Sequence, residues 1–372
     1  MSSTVPTIPL SSYEERLHRV QQALAEHDID WLFLGPSADL FYLTGFDAHV
    51  SERLNLLMVP RSGDPSLVVP KLEAPNVGEA VTLARIVSWA DHESPIESVA
   101  GIVTEEPSRV AVGNHLYSAF LIRLQGAISA GSWVEASPLM RTLRMAKDAI
   151  EVELLDIAGR NNDVAWEAFI KAGPISGLTE RQALDRLLAL TEEQGTDKCW
   201  GICASGPNAA APHYSGEDRV IQKGDSVIFD WGGPVGGYYS DVTRTVHVGE
   251  PDDEFRRVYD IVLQANQATL DAVKPGVECQ ELDRAARRII TEAGYGDAFI
   301  HRVGHGLGLE VHEEPYLVEG NDLPLAEGFV FSDEPGIYLE GRFGVRIEDA
   351  VVCTADGGRR LNESTRELVV ME

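Results

Sequence analysis

Apolar residues at Tyr13, Leu17, Val20 and Leu24 recur at helical spacing, so the pattern predicts an amphipathic helix after Ser11 and Ser12. A short apolar run at 31–34 reads as a buried strand. Residues 55–59 and 66–69 predict two more strands, closed by Pro60 and Pro70, and 85–89 and 109–112 add two further runs. Strands alternating with helices through about residue 135 predict a small α/β unit. A longer helical pattern begins just beyond 148, where Val152, Leu155, Ala158, Ala165 and Phe169 form an apolar face running to Gly173-Pro174. Thr179 and Gln182 have the spacing of a capping box for the next helix, which extends to about residue 193. The expected division is an N-terminal domain at 1–136, a linker at 137–148 and a second domain at 149–372.

Composition narrows the classes. The chain has 372 residues, 44% of them hydrophobic, enough for large cores in two domains. Its 31 basic against 59 acidic residues give a formal charge of −28, which repels phosphate backbones and anionic lipid, so neither nucleic acid nor a membrane surface is an expected partner. No apolar run reaches the roughly 18 residues that span a bilayer, and residues 1–10 lack a basic stretch followed by an apolar one. Four cysteines are too few for a disulfide scaffold, and Cys199 with Cys203 reads as buried thiols. A cytoplasmic protein is expected.

The chemistry concentrates after residue 200. Residues 227–231 (V-I-F-D-W) read as a strand, 232–237 as a Gly-rich turn and 238–248 as the returning strand, a hairpin that places Asp230 roughly opposite Asp241. Opposed residues share a face with Cβ atoms about 5 Å apart, and two carboxylates that close repel unless a proton or cation lies between them. The segment 301–315, H-R-V-G-H-G-L-G-L-E-V-H-E-E-P, holds His301, His305 and His312 with glycines that let backbone approach closely. The zincin pattern H-E-x-x-H is absent from it. A second hairpin, around 339–344, carries Glu334 and Glu348, and a loop at 204–214 adds His213.

These pieces combine by charge. Asp230, Asp241, Glu334 and Glu348 supply four negative charges, which two divalent cations balance, and the imidazole of His305 completes a mostly oxygen ligand set. Such hard donors suit Mn²⁺ first, with Co²⁺ or Zn²⁺ also accommodated. Two such ions share a bridging water and clamp the attacked carbonyl oxygen.

The segments F-D-W-G-G…Y-Y-S-D-V-T-R-T, H-R-V-G-H-G-L-G-L-E-V-H-E-E-P, E-P-G-I-Y and G-V-R-I-E-D-A resemble the M24 metallopeptidases, in the Xaa-Pro dipeptidase (prolidase) and aminopeptidase P branch. The resemblance covers roughly 200–352, and the first 200 residues fit the creatinase-like N-terminal domain of that branch. It implies an α/β N-terminal domain followed by an α+β "pita-bread" catalytic domain of two helix-and-strand halves. It also implies that Asp230 holds one metal in bidentate fashion, that Asp241 and Glu348 bridge both, and that His305 and Glu334 complete the other shell. Glu334 is then the proton acceptor, His213, His301 and His312 the catalytic and substrate histidines, Tyr338 a substrate-side residue and Arg346 a support for the metal carboxylates.

One position departs from the branch. Many prolidases place an arginine directly after H-E-x-P to grip a dipeptide's carboxylate, and this chain has Tyr316 there. Arg342, on the loop between the two glutamates, is the expected substitute, with Arg302 or another cation as alternatives. The resulting expectation is a homodimeric, dinuclear-metal peptidase cutting before proline in dipeptides or short peptides. Aminopeptidase P activity on longer peptides is the alternative. A metal-free amidinohydrolase or a ligand-less binding protein on the same fold disagrees with five ligands standing in place.

Overall fold

The structure, a computed structural model, describes residues 5–216 and 218–372, with 79–81 described by backbone alone. Residues 1–4, the start of the stretch read above for a signal, and Glu217, in the loop after His213, lie outside the described residues. The chain divides into one unit of residues 8–144 and another of residues 145–372 together with residues 5–7. No helix among the described residues is long and apolar enough to cross a membrane.

The first unit is built from α1 (Leu10–Glu26), β1 (Trp31–Leu34), α2 (Ala38–Thr44), β2 (Leu56–Pro60), β3 (Ser66–Pro70), β4 (Arg85–Trp89), α3 (Pro95–Ile102), β5 (Arg109–Val112), α4 (Ser118–Ala127), β6 (Ser132–Glu135) and α5 (Ser137–Arg144). Leu17, Val20 and Leu24 bury the predicted face of α1. The strands form one mixed sheet in the order β4-β3-β2-β1-β5-β6. Most of residues 137–148 form α5, because Leu139, Met140 and Leu143 fall on one face and are buried.

In the second unit, α6 (Ala149–Lys171) and α7 (Glu180–Glu192) each begin in a full capping box, Asp148 with Glu151 and Thr179 with Gln182. They pack on a four-stranded sheet ordered β19-β11-β8-β7, formed by β7 (Trp200–Ser205), β8 (Ser226–Gly232), β11 (Val242–Val248) and β19 (Val369–Met371). Trp166, Phe169, Phe229 and Trp231 stack within this first half, with ring centroids 4.9–5.9 Å apart. Between β8 and β11 a small hairpin intervenes, β9 (Pro234–Val235) with β10 (Tyr238–Tyr239), so the returning strand is broken in two. This corrects the expected pairing. Asp230 lies opposite Thr243, and Asp241 precedes β11 by one residue, two positions along from Thr243. A period of two keeps Asp241 on the same face as Thr243, so it still lies toward Asp230, but diagonally.

The other half packs α8 (Asp253–Ala272) and α9 (Cys279–Glu292) on a sheet ordered β13-β12-β14-β17-β18. Its strands are β12 (Gly304–Gly306), β13 (Glu313–Leu317), β14 (Val330–Asp333), β17 (Asp349–Thr354) and β18 (Gly357–Arg360), with the hairpin of β15 (Gly336–Leu339) and β16 (Phe343–Arg346) beside them. Two helix pairs, each on its own sheet, are the arrangement the resemblance implies. Glycines flanking His305 are sterically required: a Cβ on Gly304 would lie 1.9 Å from the Ser332 carbonyl oxygen.

The Trp166 indole is 1% exposed and its N–H has no hydrogen-bond partner among the described residues, so its contribution is packing. Trp166→Ala is expected to cost about 3–5 kcal/mol, read as a lowered urea midpoint, with Trp166→Phe costing clearly less.

Candidate metal centre and active site

Strand ends from both halves deliver the acidic residues to one place. Asp230 stands on β8, Asp241 just ahead of β11, His305 at the centre of β12, Glu334 just after β14 and Glu348 just ahead of β17. Two backbone hydrogen bonds fix the last pair: Glu334 N–H donates to the Val303 carbonyl at 2.8 Å, and Glu348 N–H to the Thr243 carbonyl at 3.1 Å. All five line a cleft of about 660 Å³ together with Trp200, Ile202, His213, His301, Arg302, His312, Val318 and Arg346. Donor atoms of Asp241, His305 and Glu348, all buried, lie within 4.8 Å of one another.

His305 shows why a cation belongs between them. Its Nδ1 is 3.2 Å from the Gly306 carbonyl, which only accepts, so Nδ1 carries the proton. The Nε2 lone pair then faces Glu334 Oε1 at 3.2 Å and Asp241 Oδ2 at 3.7 Å. Three electron-rich atoms in contact repel unless a cation or further proton lies among them. Asp230 Oδ1 and Asp241 Oδ1 are buried and lack any hydrogen-bond partner among the described residues. Orphaned carboxylate oxygens and a convergent lone pair fit a hard divalent ion.

The titration behaviour points the same way. Burial, reinforced by Glu348, Asp230 and Glu334, pushes Asp241 well above the usual carboxylate range. Burial with the charges of Glu334 and Asp230 does the same to Glu348. Burial also raises Asp230, against the opposing charge of Arg346. Burial raises Glu334 as well, but a positive charge in hydrogen-bond contact at His305, aided by His301 and Arg346, outweighs it and brings the group to about 2, the effect that a cation among these atoms has. Four carboxylates thus compete for too little positive charge.

A scaffold of donors supports the cluster. Arg346 Nη2 donates to Asp230 Oδ2 at 2.7 Å, its Nε to Thr243 Oγ1 at 3.0 Å and its Nη1 to the Tyr338 hydroxyl at 3.0 Å. Thr243 in turn donates to Glu348 Oε2 at 2.6 Å. Arg244, 1% exposed, donates to the Glu348 carbonyl at 2.5 Å and to Asp349 Oδ1 at 2.7 Å. Thr243 and Arg244 escaped the sequence reading, although Asp241 and Thr243 at alternate positions would share a strand face.

The expected substrate-side residues separate. His312, whose ring meets that of His305 edge-on with centroids 4.1 Å apart, stands on the cleft rim, and partial desolvation followed by the neighbouring His305 lowers it to about 4. His213 is exposed in its loop and reaches the same cleft. His301 is committed elsewhere. Its Nδ1–H donates to the Arg302 carbonyl at 2.7 Å, and its Nε2 accepts from the Tyr338 hydroxyl at 2.8 Å. It therefore orients Tyr338, which burial raises to about 12 and so keeps as an O–H donor. Arg342 lies outside the described lining of this cleft, and Glu254 in the first turn of α8 holds its guanidinium at 2.6 Å on the surface.

Comparison with known proteins agrees with this geometry. Residues 16–146 match the creatinase/prolidase N-terminal domain, and residues 153–355 match metallopeptidase family M24. The chain is 38% identical over 364 residues to the probable dipeptidase PepE of Mycobacterium tuberculosis, with 96% of each chain covered. It is 35% identical over 363 residues to an Xaa-Pro dipeptidase of Lactobacillus helveticus, covering 95% of this chain and 98% of that one. A solved structure of recombinant prolidase from Thermococcus sibiricus superposes with a TM-score of 0.93 at 36% identity, covering 98% of this chain and 100% of that one. With the expected ligands gathered in one cleft and both domains matched over nearly the whole chain, this protein belongs to metallopeptidase family M24.

Proposed function

We propose that the chain is a dinuclear-metal Xaa-Pro dipeptidase, hydrolysing the bond before proline in dipeptides. The observation that carries this reading is the convergence of Asp230, Asp241, His305, Glu334 and Glu348 on a cleft whose lining also includes apolar Trp200, Ile202 and Val318. The names of the relatives supply proline as the residue after the cut. An Xaa-Pro bond is a tertiary amide with no N–H to donate, so an apolar wall suits its pyrrolidine ring.

The five ligands fit two divalent ions, with Mn²⁺ first and Co²⁺ or Zn²⁺ compatible. When bound, such ions supply neutralisation of the carboxylates, polarisation of the scissile carbonyl and acidification of water. The chain's own residues do the rest. Glu334 takes the proton of the attacking water and returns it to the departing proline nitrogen, which cannot leave as an anion. His312 and His213, at the cleft, donate hydrogen bonds to the oxygen that gains charge in the transition state. Arg346, spent on Asp230, Thr243 and Tyr338, holds ligand geometry rather than substrate.

A second reading, aminopeptidase P activity on longer Xaa-Pro peptides, is carried by Tyr316 at the position where many prolidases keep an arginine. The proposal extends to a homodimer in a reducing cytoplasm, supported by four free thiols.

Hydrolysis of Ala-Pro beside Ala-Pro-Ala, with Mn²⁺ and then with chelator, tests the reading. Chelator-sensitive cleavage of the dipeptide alone is expected. Preference for the tripeptide would replace it with the aminopeptidase, and cleavage of neither with metal bound would remove proline specificity. Asp241→Ala and Glu348→Ala should bring turnover to background and lower bound metal without changing the circular dichroism. Thr243→Val, which removes the donor to Glu348, is expected to lower metal affinity or kcat/KM about 10- to 100-fold.

A further inference from the structure

His312 stands exposed on the cleft rim, and its ring makes no hydrogen bond among the described residues. The backbone that carries it, residues 307–312, belongs to no helix or strand. A side chain placed in this way is only as well oriented as the turn that presents it. The supports of that turn therefore bear on what His312 can do.

Glu313, the next residue, fastens the turn from its buried side. Its carboxylate oxygens are divided between two donors: Oε2 accepts the Glu310 N–H at 3.4 Å, closing the turn, and Oε1 accepts Lys147 Nζ at 2.7 Å. The side chains of this ion pair are 1% and 6% exposed. Gly308 lies directly against them, since a Cβ there would stand 2.7 Å from Glu313 Oε1 and 3.0 Å from Lys147 Cε. Lys147 is held in turn, because its N–H donates to the Gly328 carbonyl at 2.8 Å and its neighbour Asp148 caps α6. A second strut leaves the same helix end. Glu151 Oε1 accepts from the Tyr238 hydroxyl at 2.8 Å, and the Tyr239 N–H donates to the Gly308 carbonyl at 2.8 Å.

A buried ion pair contributes little net stability, because desolvating both charges offsets their attraction. What this one does supply is a fixed, directional link between the start of α6 and the turn 308–312. We infer that Lys147 is a positioning residue of the reaction: through the Glu313 carboxylate it holds His312 where the transition-state oxygen gains charge. The inference rests on the peptidase reading above, in which His312 donates to that oxygen, and deepens it. Lys147 touches neither substrate nor metal ligand in this role, and its effect passes through His312 alone.

The test is steady-state hydrolysis of Ala-Pro by the Mn²⁺-loaded enzyme, with bound metal and urea midpoint measured for each variant. Lys147→Met should lower kcat about 10- to 100-fold and leave KM within about twofold, as loss of a transition-state contact requires. Lys147→Arg, which keeps a cation beside Glu313, should restore part of the rate. Lys147→Met combined with Glu313→Leu strands no buried charge and should fold normally, yet it should keep the low kcat because nothing then closes the turn. In a His312→Ala background, Lys147→Met should cost nothing further. An undiminished kcat, a loss that follows bound metal instead, or an equal loss without His312 overturns the inference. Amide exchange on the metal-loaded protein reads the turn independently of turnover. Residues 307–313 should exchange faster in Lys147→Met while α8 does not change, and unaltered exchange at 307–313 overturns the inference. If the wild type hydrolyses no Xaa-Pro peptide, the peptidase reading fails, and amide exchange alone decides whether Lys147 holds the turn.

Discussion

The site depends on mutual repulsion among four carboxylates around one imidazole lone pair. Asp230, Asp241 and Glu348 are each less than a tenth exposed, so water screens their charges poorly. Their protonation is driven upward while Glu334 is driven down, a division that marks a shortage of positive charge at the centre. Divalent ions remove the shortage. The same arrangement that is electrostatically costly without them becomes a ligand set with them.

Holding repelling groups together requires attachments elsewhere, and these come from buried arginines. Arg346 ties β16 to Asp230 on β8, and Arg244 ties β11 to Glu348 and Asp349 at the start of β17. The Arg244–Asp349 pair is only 1% exposed on each side and well satisfied, since the guanidinium also reaches the Ser364 and Thr365 carbonyls. Breaking such a pair from one side strands a buried charge, at about 3–5 kcal/mol. These two arginines stitch the halves of the catalytic unit together at the metal centre. The mechanical link between the sheets is therefore also the device that sets ligand geometry.

Much of this was legible in the chain itself. Short apolar runs located β1, β4 and β5, helical spacing located the buried face of α1, and the Thr179–Gln182 capping box was read directly. The ligands were readable because each sits in a short segment punctuated by glycine or proline, where backbone constraint leaves few alternatives. The pairing of Asp230 was misread because the turn centres between Gly236 and Gly237, both at positive φ, one residue later than expected, and among several adjacent glycines spacing alone does not fix which pair makes the turn. The helix α5 within 137–148 was not read from the chain because its apolar positions gain meaning only when something covers them.

Residue type and local spacing thus determined which groups supply the chemistry, since charge balance and donor hardness are properties of side chains. What the tertiary structure decided is which cations are spent. Arg342, Arg346 and Arg302 are alike in sequence, but Glu254 holds the first at the surface, Asp230 and its neighbours consume the second, and the third lies against the Tyr316 ring. A guanidinium's role follows from the partners within about 4 Å of it, and those partners lie tens of residues away along the chain.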